Sequence, residues 1–177
     1  MNNEFIEDYP IIQSDFIQLR QPYYQDADDL FEIWGDPNTM RSLSIKSIEL
    51  CSVADVIKKK FNGYGRLVEL FFVIHLKSIN KVVGYLDLHY DNYRWYVDLC
   101  INAKFRKMGY AKHSLELIIE YCKQSGVKVI VAVIIDDNLK SIRLFEKAGF
   151  LKGDNAYLQD FIMPNNELKA TEYIWRS

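Results

Sequence analysis

The sequence predicts one α+β domain with a mixed, mostly antiparallel sheet flanked by about four helices. Three strand-like segments follow one another over 67–101 with short connections, which is typical of antiparallel hairpins. A long amphipathic helix and a buried strand come next, which indicates a strand-helix-strand unit in the middle of the sheet. The chain has 177 residues, of which 49% are hydrophobic. This length and composition fit a single domain over 1–177.

The N-terminal third is predicted to hold one strand and two helices. Apolar and polar side chains alternate over 16–20, which predicts the first strand. Apolar residues spaced by three and four predict a helix over 27–34 that ends near Gly35. The same spacing over 53–61 predicts a second helix, which ends at Gly63. Lys58, Lys59 and Lys60 lie on that helix, and we interpret them as a solvated face.

The rest of the chain is predicted to alternate between strands and helices. Strands are predicted over 67–76, 82–90 and 93–101, with turns at 77–80 and at Asp91-Asn92. One helical stripe follows, formed by Ala111, Ser114, Leu115, Ile118, Ile119 and Cys122. The β-branched run over 127–135 predicts a buried strand. A last helix over 139–148 ends at Gly149, and closing strands are predicted from Phe150 onward and over 172–175.

The composition argues against several classes of protein. Lys and Arg number 22 and Asp and Glu number 24, whereas a nucleic-acid-binding protein usually has a clear basic excess. The longest apolar run, over 129–135, is too short to cross a bilayer. The polar N-terminus is unlike a signal peptide. Three widely spaced cysteines predict reduced thiols and no zinc site. We therefore expect a cytoplasmic protein without a metal, a nucleic acid or a membrane partner.

The most informative segment is Arg106–Ala111, which lies between a predicted strand and the long helix. The start of a helix presents unpaired backbone N–H groups and the positive end of the helix dipole, a natural site for a diphosphate. Gly109 lacks a Cβ atom, so its backbone can approach phosphate groups closely. Arg106 and Lys107 add positive charge nearby. The segment therefore predicts an anion site at this junction.

Two motifs together resemble the GNAT superfamily of N-acetyltransferases. Residues 106–111 match its Arg/Gln-x-x-Gly-x-Gly/Ala motif. Asn138, Ser141 and the run over 144–150 resemble its Asn-x-x-Ser/Ala helix that ends in Glu-Lys-x-Gly-Phe. The resemblance is strongest over 67–153, and the N-terminal elements are similar to the branch of ribosomal-protein N-terminal acetyltransferases. No P-loop or dinucleotide fingerprint competes with this assignment.

The resemblance implies that the protein binds acetyl-CoA and transfers its acetyl group to an amine. Members of the family hold the cofactor between two central strands that splay apart, here 93–101 and 127–135. Backbone groups near Leu99 and Ile101 would bond the pantetheine arm, and 106–111 would hold the diphosphate. The implied cofactor-binding residues are Leu99, Ile101, Arg106, Lys107, Met108, Gly109, Tyr110, Ala111, Asn138, Ser141 and Phe145.

An alkylammonium acceptor must lose a proton before its nitrogen can attack a thioester. Asp98 is the first candidate for the base, because a mid-strand acidic group is costly unless it is paired or functional. A structural role for Asp98 remains an alternative. Asp87 and His89 share one face of the preceding strand and could line the same cleft. His89 could act as a base near neutral pH, although a strand histidine is more often structural.

The chain departs from the family pattern at Phe145, where many members have a tyrosine that protonates the leaving thiolate. Phenylalanine cannot donate a proton, so the acid would be Tyr110, Tyr157, Tyr173 or water, or the thiolate would leave unprotonated. This departure keeps open an alternative function, a catalytically weak module that binds acyl-CoA or a protein. The acceptor, a small-molecule amine or a peptide N-terminus, is not evident from the sequence. Both a monomer and a homodimer remain possible.

Overall fold

A computed structural model describes residues 9–41, 43, 46–65, 69–159 and 167–177. They form one eight-stranded sheet with helices on both faces. The strands are β1 (Ile12–Gln13), β2 (Ile17–Arg20), β3 (Glu69–Leu76), β4 (Lys81–Asp91), β5 (Arg94–Ile101), β6 (Val129–Ile135), β7 (Leu151–Gln159) and β8 (Glu167–Arg176). The helices are α1 (Ala27–Trp34), α2 (Pro37–Arg41), α3 (Val53–Gly65), α4 (Tyr110–Gln124) and α5 (Leu139–Lys147).

The sheet has the strand order β1-β2-β3-β4-β5-β6-β8-β7. Every neighbouring pair is antiparallel except β5 and β6, which are parallel and are connected through α4. A parallel pair needs a crossover connection, and the long amphipathic helix α4 provides it. The predicted α+β class, with a mixed and mostly antiparallel sheet, is confirmed.

Each face of the sheet covers its own hydrophobic core. One core packs α4 and α5 against the sheet, and it includes Leu115, Ile118 and Phe145. The other packs α1, α2 and α3 against the opposite face, and it includes Leu30 and Ile57. The residues of α4 that are buried are Ser114, Leu115, Ile118, Ile119 and Cys122, which confirms most of the predicted stripe.

The structure differs from the sequence prediction mainly at short elements and turns. The strand β1 and the helix α2 were not predicted, because two and five residues are too few to show a period. The turn between β4 and β5 is formed by Asn92 and Tyr93, whose φ angles are 46° and 63°. The turn therefore lies one residue beyond the predicted position. The sequence did not indicate this, because tyrosine is not a usual turn residue. The helix α3 continues through Gly63 and ends at Gly65.

Two further sequence predictions concern the start of the third strand and the spanning of a membrane. Leu67, the predicted start of the third strand, lies outside the described residues, and the strand is described from Glu69. Within the described ranges, none of the helices combines the length and the apolar character that spanning a bilayer requires.

Candidate active site

The central sheet opens between β5 and β6. These two strands pair only at Trp95 with Ile130 and at Tyr96 with Val131. Beyond Tyr96 they diverge, while β6 stays paired with β8 as far as Ile135. The backbone edge of β5 from Val97 to Ile101 therefore faces a gap and not a neighbouring strand.

A cavity of about 1100 Å³ occupies one side of this gap. The strand end at Leu99 and Ile101 lines it, together with the start of α4 and the start of α5. Its charged lining residues are five cations and one acid, namely Arg41, Arg106, Lys107, Lys112, Lys140 and Asp137. This excess of positive charge suits a ligand with several phosphate groups.

The start of α4 supplies the backbone part of this anion site. Gly109 precedes the helix with φ 87°, a left-handed conformation that glycine adopts without a steric penalty. Lys107 also has a positive φ, 65°. The first amides of α4 have no partner within the helix, and no acidic residue lies in its first turn. Together with the surrounding cations, these features fit the diphosphate of coenzyme A. Met108 is 59% exposed and does not line the cavity.

Arg106 has structural partners in addition to its place in the cavity wall. Its Nε donates to the carbonyl of Ile101 at 3.0 Å, and its Nη2 donates to Thr39 Oγ1 at 2.8 Å. The Thr39 hydroxyl in turn bonds the carboxylate of Asp36. Arg106 therefore connects the loop before α4 to the end of β5 and to α2. The sequence indicated only the charge of this side chain.

A second cavity, of about 770 Å³, lies on the other side of the gap. Its walls come from α1–α3 and the strands β3–β6, with Tyr157 and Leu158 from β7. The aromatic side chains of Trp34, Phe71 and Tyr85 pack against one another in this wall, with ring centroids 5.3 to 6.0 Å apart. The two cavities share Leu43, Leu99, Ile135, Asn138 and Ser141. They therefore meet where β5 and β6 separate.

An acidic group is buried in the wall of this second cavity. Asp87 Oδ2 lies 2.5 Å from Lys60 Nζ, which also lies 2.5 Å from Glu69 Oε1. The Asp87 side chain is only 10% exposed. Burial raises the pKa of Asp87 to about 7, and the ammonium of Lys60 lowers it in part. This carboxyl group therefore titrates close to neutral pH.

The predicted solvation of Lys60 is wrong. Its ammonium group is enclosed by carboxylates, and these interactions raise the pKa of Lys60 against the effect of burial. The position of Lys60 in α3 continues the apolar spacing of Val53, Val56 and Ile57, and this signal could have indicated an inward side chain. The neighbouring Lys58 and Lys59 are exposed, as expected.

Asp98 and His89 are brought together in the same cavity. Asp98 lies directly opposite Asp87 on the adjacent strand, and His89 lies opposite Tyr96. His89 Nδ1 is 3.9 Å from Asp98 Oδ2, and the His89 ring stacks on Tyr96 with centroids 5.5 Å apart. The side chain of Asp98 is 58% exposed towards the open cleft. The protein around the cleft nevertheless limits hydration of the carboxylate and raises the pKa of Asp98, while His89 and Lys60 act in the opposite direction.

The helix α5 contributes its first turn and Phe145 to the site. Asn138 caps the helix, since its Oδ1 accepts from the backbone N–H of Ser141 at 3.3 Å. Asn138 and Ser141 also line both cavities, so the residues that form the helix cap are the ones that face the site. Phe145 is 4% exposed, packs edge-on against Phe150 and lines the second cavity.

The three tyrosines proposed as proton donors lie in different places. Tyr157 lines the second cavity and is 65% exposed. Tyr110 lines the first cavity, at the anion site. Tyr173 lines neither cavity and is 4% exposed, and burial raises its pKa. Tyr157 is therefore the only one of these three that shares a cavity with Asp98.

Cys100 lines the first cavity beside the gap. Burial raises the pKa of its thiol to about 12, so the thiol stays protonated at neutral pH and is a poor nucleophile. Cys122 is also buried, whereas Cys51 is exposed.

The sequence matches the family model described as Acetyltransferase (GNAT) domain over residues 17–151. The chain is also 24% identical over 149 residues to the uncharacterized N-acetyltransferase YoaA of Bacillus subtilis. That match covers 81% of this chain and 84% of YoaA.

Solved structures with different acceptors share the fold. One is an acetyl transferase from Salmonella typhimurium that modifies the N-terminal serine of a 50S ribosomal subunit protein. It has a TM-score of 0.80 and 15% identity, and the match covers 95% of this chain and 99% of that one. Another is spermidine N-acetyltransferase from Vibrio cholerae in complex with CoA and spermine. It has a TM-score of 0.76 and 16% identity, with coverage of 90% and 95%. At these identities the likeness shows the fold and leaves the acceptor open.

Proposed function

Since the chain belongs to the GNAT family of acetyltransferases, we propose that it transfers the acetyl group of acetyl-CoA to a primary amine. The observation that carries this proposal is the meeting of two unlike cavities at Leu99. One has the cations and helix start that suit coenzyme A, and the other has carboxylates that suit an amine. The gap between β5 and β6 connects them, so a thioester there would be open to attack from the acceptor side.

The charge of the first cavity suits coenzyme A, since five of its six charged lining residues are cations. The amides that open α4, with Arg106, Lys107, Gly109, Tyr110 and Ala111, would hold the diphosphate. The unpaired edge of β5 at Leu99 and Ile101 would bond the pantetheine amides, although the Ile101 carbonyl already accepts from Arg106. Asn138, Ser141 and Phe145 would close the gap from the α5 side. When bound, acetyl-CoA supplies an activated acyl carbon and a thiolate leaving group.

Asp98, beside His89, is proposed as the base. Asp98 is next to Leu99 in sequence and projects to the acceptor side, while Leu99 lies where the two cavities meet. The raised pKa of Asp98 makes its carboxylate a stronger base at neutral pH than an ordinary aspartate. The acceptor ammonium first loses a proton to Asp98, directly or through water. The neutral amine nitrogen then forms a bond to the acyl carbon as the carbon–sulfur bond breaks, and the second nitrogen proton passes to water or to the departing thiolate.

The leaving thiolate does not need the tyrosine that many family members have. By analogy with cysteine, the leaving thiol has a pKa of about 8.5, so a thiolate can depart without a proton from the protein. If a protein group does donate, Tyr157 is the proposed donor, since it lines the acceptor cavity together with Phe145.

A thiol-release assay with acetyl-CoA and a panel of amines tests this function. Asp98→Asn is expected to lower kcat by about a hundredfold, within the usual range for a general base, while coenzyme A affinity stays the same. The matched control is Asp154→Asn, the same change at an exposed position that lines neither cavity. Equal turnover by both variants would rule out Asp98 as the base.

The second candidate function is an acyl-CoA-binding module with little or no turnover. Phe145 favours it, because this position lacks a proton donor. Tight binding of acetyl-CoA without thiol release from any amine would support this alternative. A turnover that depends on both the acceptor and Asp98 would exclude it.

A further inference from the structure

The acceptor cavity carries carboxylates at two levels along the strands. Asp87, His89 and Asp91 alternate along β4, so they point to the same face of the sheet. All three line the cavity, and Asp98 lies opposite Asp87. Four residues of extended strand place Asp91 about 13 Å from Asp87 along β4. The cavity therefore has an inner acidic level and an outer one.

The inner level has an unsatisfied acceptor. Asp87 Oδ1 is buried and has no hydrogen-bond partner among the described residues, although Oδ2 is bonded to Lys60. A buried carboxylate oxygen without a donor is destabilising. An ammonium or amine group of a ligand in this cavity would supply the missing donor.

The charges of the lining residues leave room for added cations. Asp87, Asp91 and Asp98 are the acidic lining residues, and Lys46 and Lys60 are the basic ones. Lys60 is already matched by Asp87 together with Glu69. Asp91 accepts a hydrogen bond from Asn92 and forms no ion pair with the described residues. The carboxylate of Asp98 has His89 as its basic neighbour, at 3.9 Å from Nδ1. Asp91 lies opposite Arg94, whose guanidinium is paired with Glu172, so Asp91 is the lining carboxylate that is left without an ion-pair partner among the described residues.

The protein's own Lys60 shows how this cavity holds an alkylammonium. The Lys60 ammonium lies between two carboxylates and 5.0 Å from the centre of the Phe71 ring, a combination of ion pairing and cation–π attraction. Between the inner and outer levels lie the stacked rings of His89 and Tyr96, and the Arg94 guanidinium lies 5.3 Å from the centre of the Tyr96 ring. A methylene chain can lie against the ring carbons of this stack while its charged ends reach the carboxylates.

We propose that the acceptor is a linear alkyl polyamine. Its reacting nitrogen lies at Asp87 and Asp98, its methylene chain crosses the His89–Tyr96 stack, and its second ammonium pairs with Asp91. This inference rests on the proposed function and names the acceptor class for the same site. A peptide N-terminus without a second positive charge would leave Asp91 unused.

The test compares kcat/KM for butylamine, putrescine, spermidine and a neutral tripeptide, at saturating acetyl-CoA. Spermidine is expected to exceed butylamine at least tenfold, because it adds cationic contacts to the same reacting amine. Asp91→Asn is expected to lower kcat/KM for spermidine about fivefold, the upper range for a partly exposed ion pair, and to affect butylamine less. Asp154→Asn is the control and is expected to match the unaltered protein with both amines.

Two results would overturn the polyamine assignment while the proposed function stands. One is turnover of the tripeptide or butylamine at least as fast as spermidine. The other is an equal effect of Asp91→Asn on both amines. Acetyl transfer to none of these acceptors, with coenzyme A still bound, would also overturn the polyamine assignment, and the absence of turnover with every amine of the wider panel would overturn the proposed function as well.

Discussion

Replacing Gly109 by alanine separates a cofactor-binding role from a purely conformational one. Gly109 has φ 87°, and Gly126, just beyond the other end of α4, has φ 78°. At either position an added Cβ atom would meet no heavy atom within 4 Å. The two substitutions therefore impose similar backbone strain without a steric clash. Each should lower the free energy of unfolding by roughly 1–2 kcal/mol, the cost of a left-handed conformation for alanine.

The two variants should differ only in their affinity for coenzyme A. Gly109 lines the cofactor cavity and Gly126 does not. At position 109 the new methyl group would hold a diphosphate away from the backbone amides that open α4. A tenfold increase in the Kd for coenzyme A, about 1.4 kcal/mol, is expected for Gly109→Ala. Gly126→Ala should bind as the unaltered protein does.

Urea unfolding and isothermal titration calorimetry on the same samples measure both quantities. Wild-type affinity in Gly109→Ala would refute the placement of the diphosphate. An equal loss of affinity in Gly126→Ala would show that strain in α4, and not contact at Gly109, controls binding.

Three further predictions follow from the site. Arg106→Gln should lower both the thermal stability and the affinity for coenzyme A, because it breaks the bonds to Ile101 and Thr39. Lys107→Gln should lower only the affinity. Calorimetry together with thermal unfolding would show whether the two variants differ in this way. The pKa of Asp87 rises from 3.8 to about 7 on folding, so between these pH values the folded protein holds a proton on Asp87 that the unfolded chain has lost. The contribution of Asp87 to the free energy of unfolding is therefore lost as the pH rises towards about 7. Urea unfolding at several pH values should therefore show that wild type loses stability relative to Asp87→Asn between these pH values, and parallel curves would contradict the assignment. Phe145→Tyr should raise kcat in the thiol-release assay if protonation of the thiolate limits the rate, whereas an unchanged kcat would show that the thiolate leaves unprotonated.

The order of the long elements was predictable because each shows a clear period. The stripe along α4 and the β-branched run of β6 are formed by buried side chains. Buried side chains are mostly apolar, so their spacing in the sequence shows the element directly. The junction at Gly109 was also predictable, since a glycine before an amphipathic helix combines a turn signal with a helix start. The short α2 and the Asn92-Tyr93 turn carry no such signal.

The partners of charged side chains were harder to predict than the elements. The sequence placed Asp87, His89 and Asp98 on the correct strands, but it did not show that Lys60 from α3 reaches Asp87 across 27 residues. It also gave no indication that Arg106 bonds Thr39, 67 residues earlier. Such pairs depend on tertiary packing, so local periodicity cannot reveal them.

The central claim is that acetyl-CoA places its thioester in the gap beside Leu99, with the acceptor reaching it from the Asp98 side. A crystal structure with acetyl-CoA bound tests it most directly. The account predicts the diphosphate at the start of α4 and the sulfur between the diverging strands β5 and β6. A cofactor bound elsewhere on the surface, or a sulfur that lies outside this gap, would contradict it.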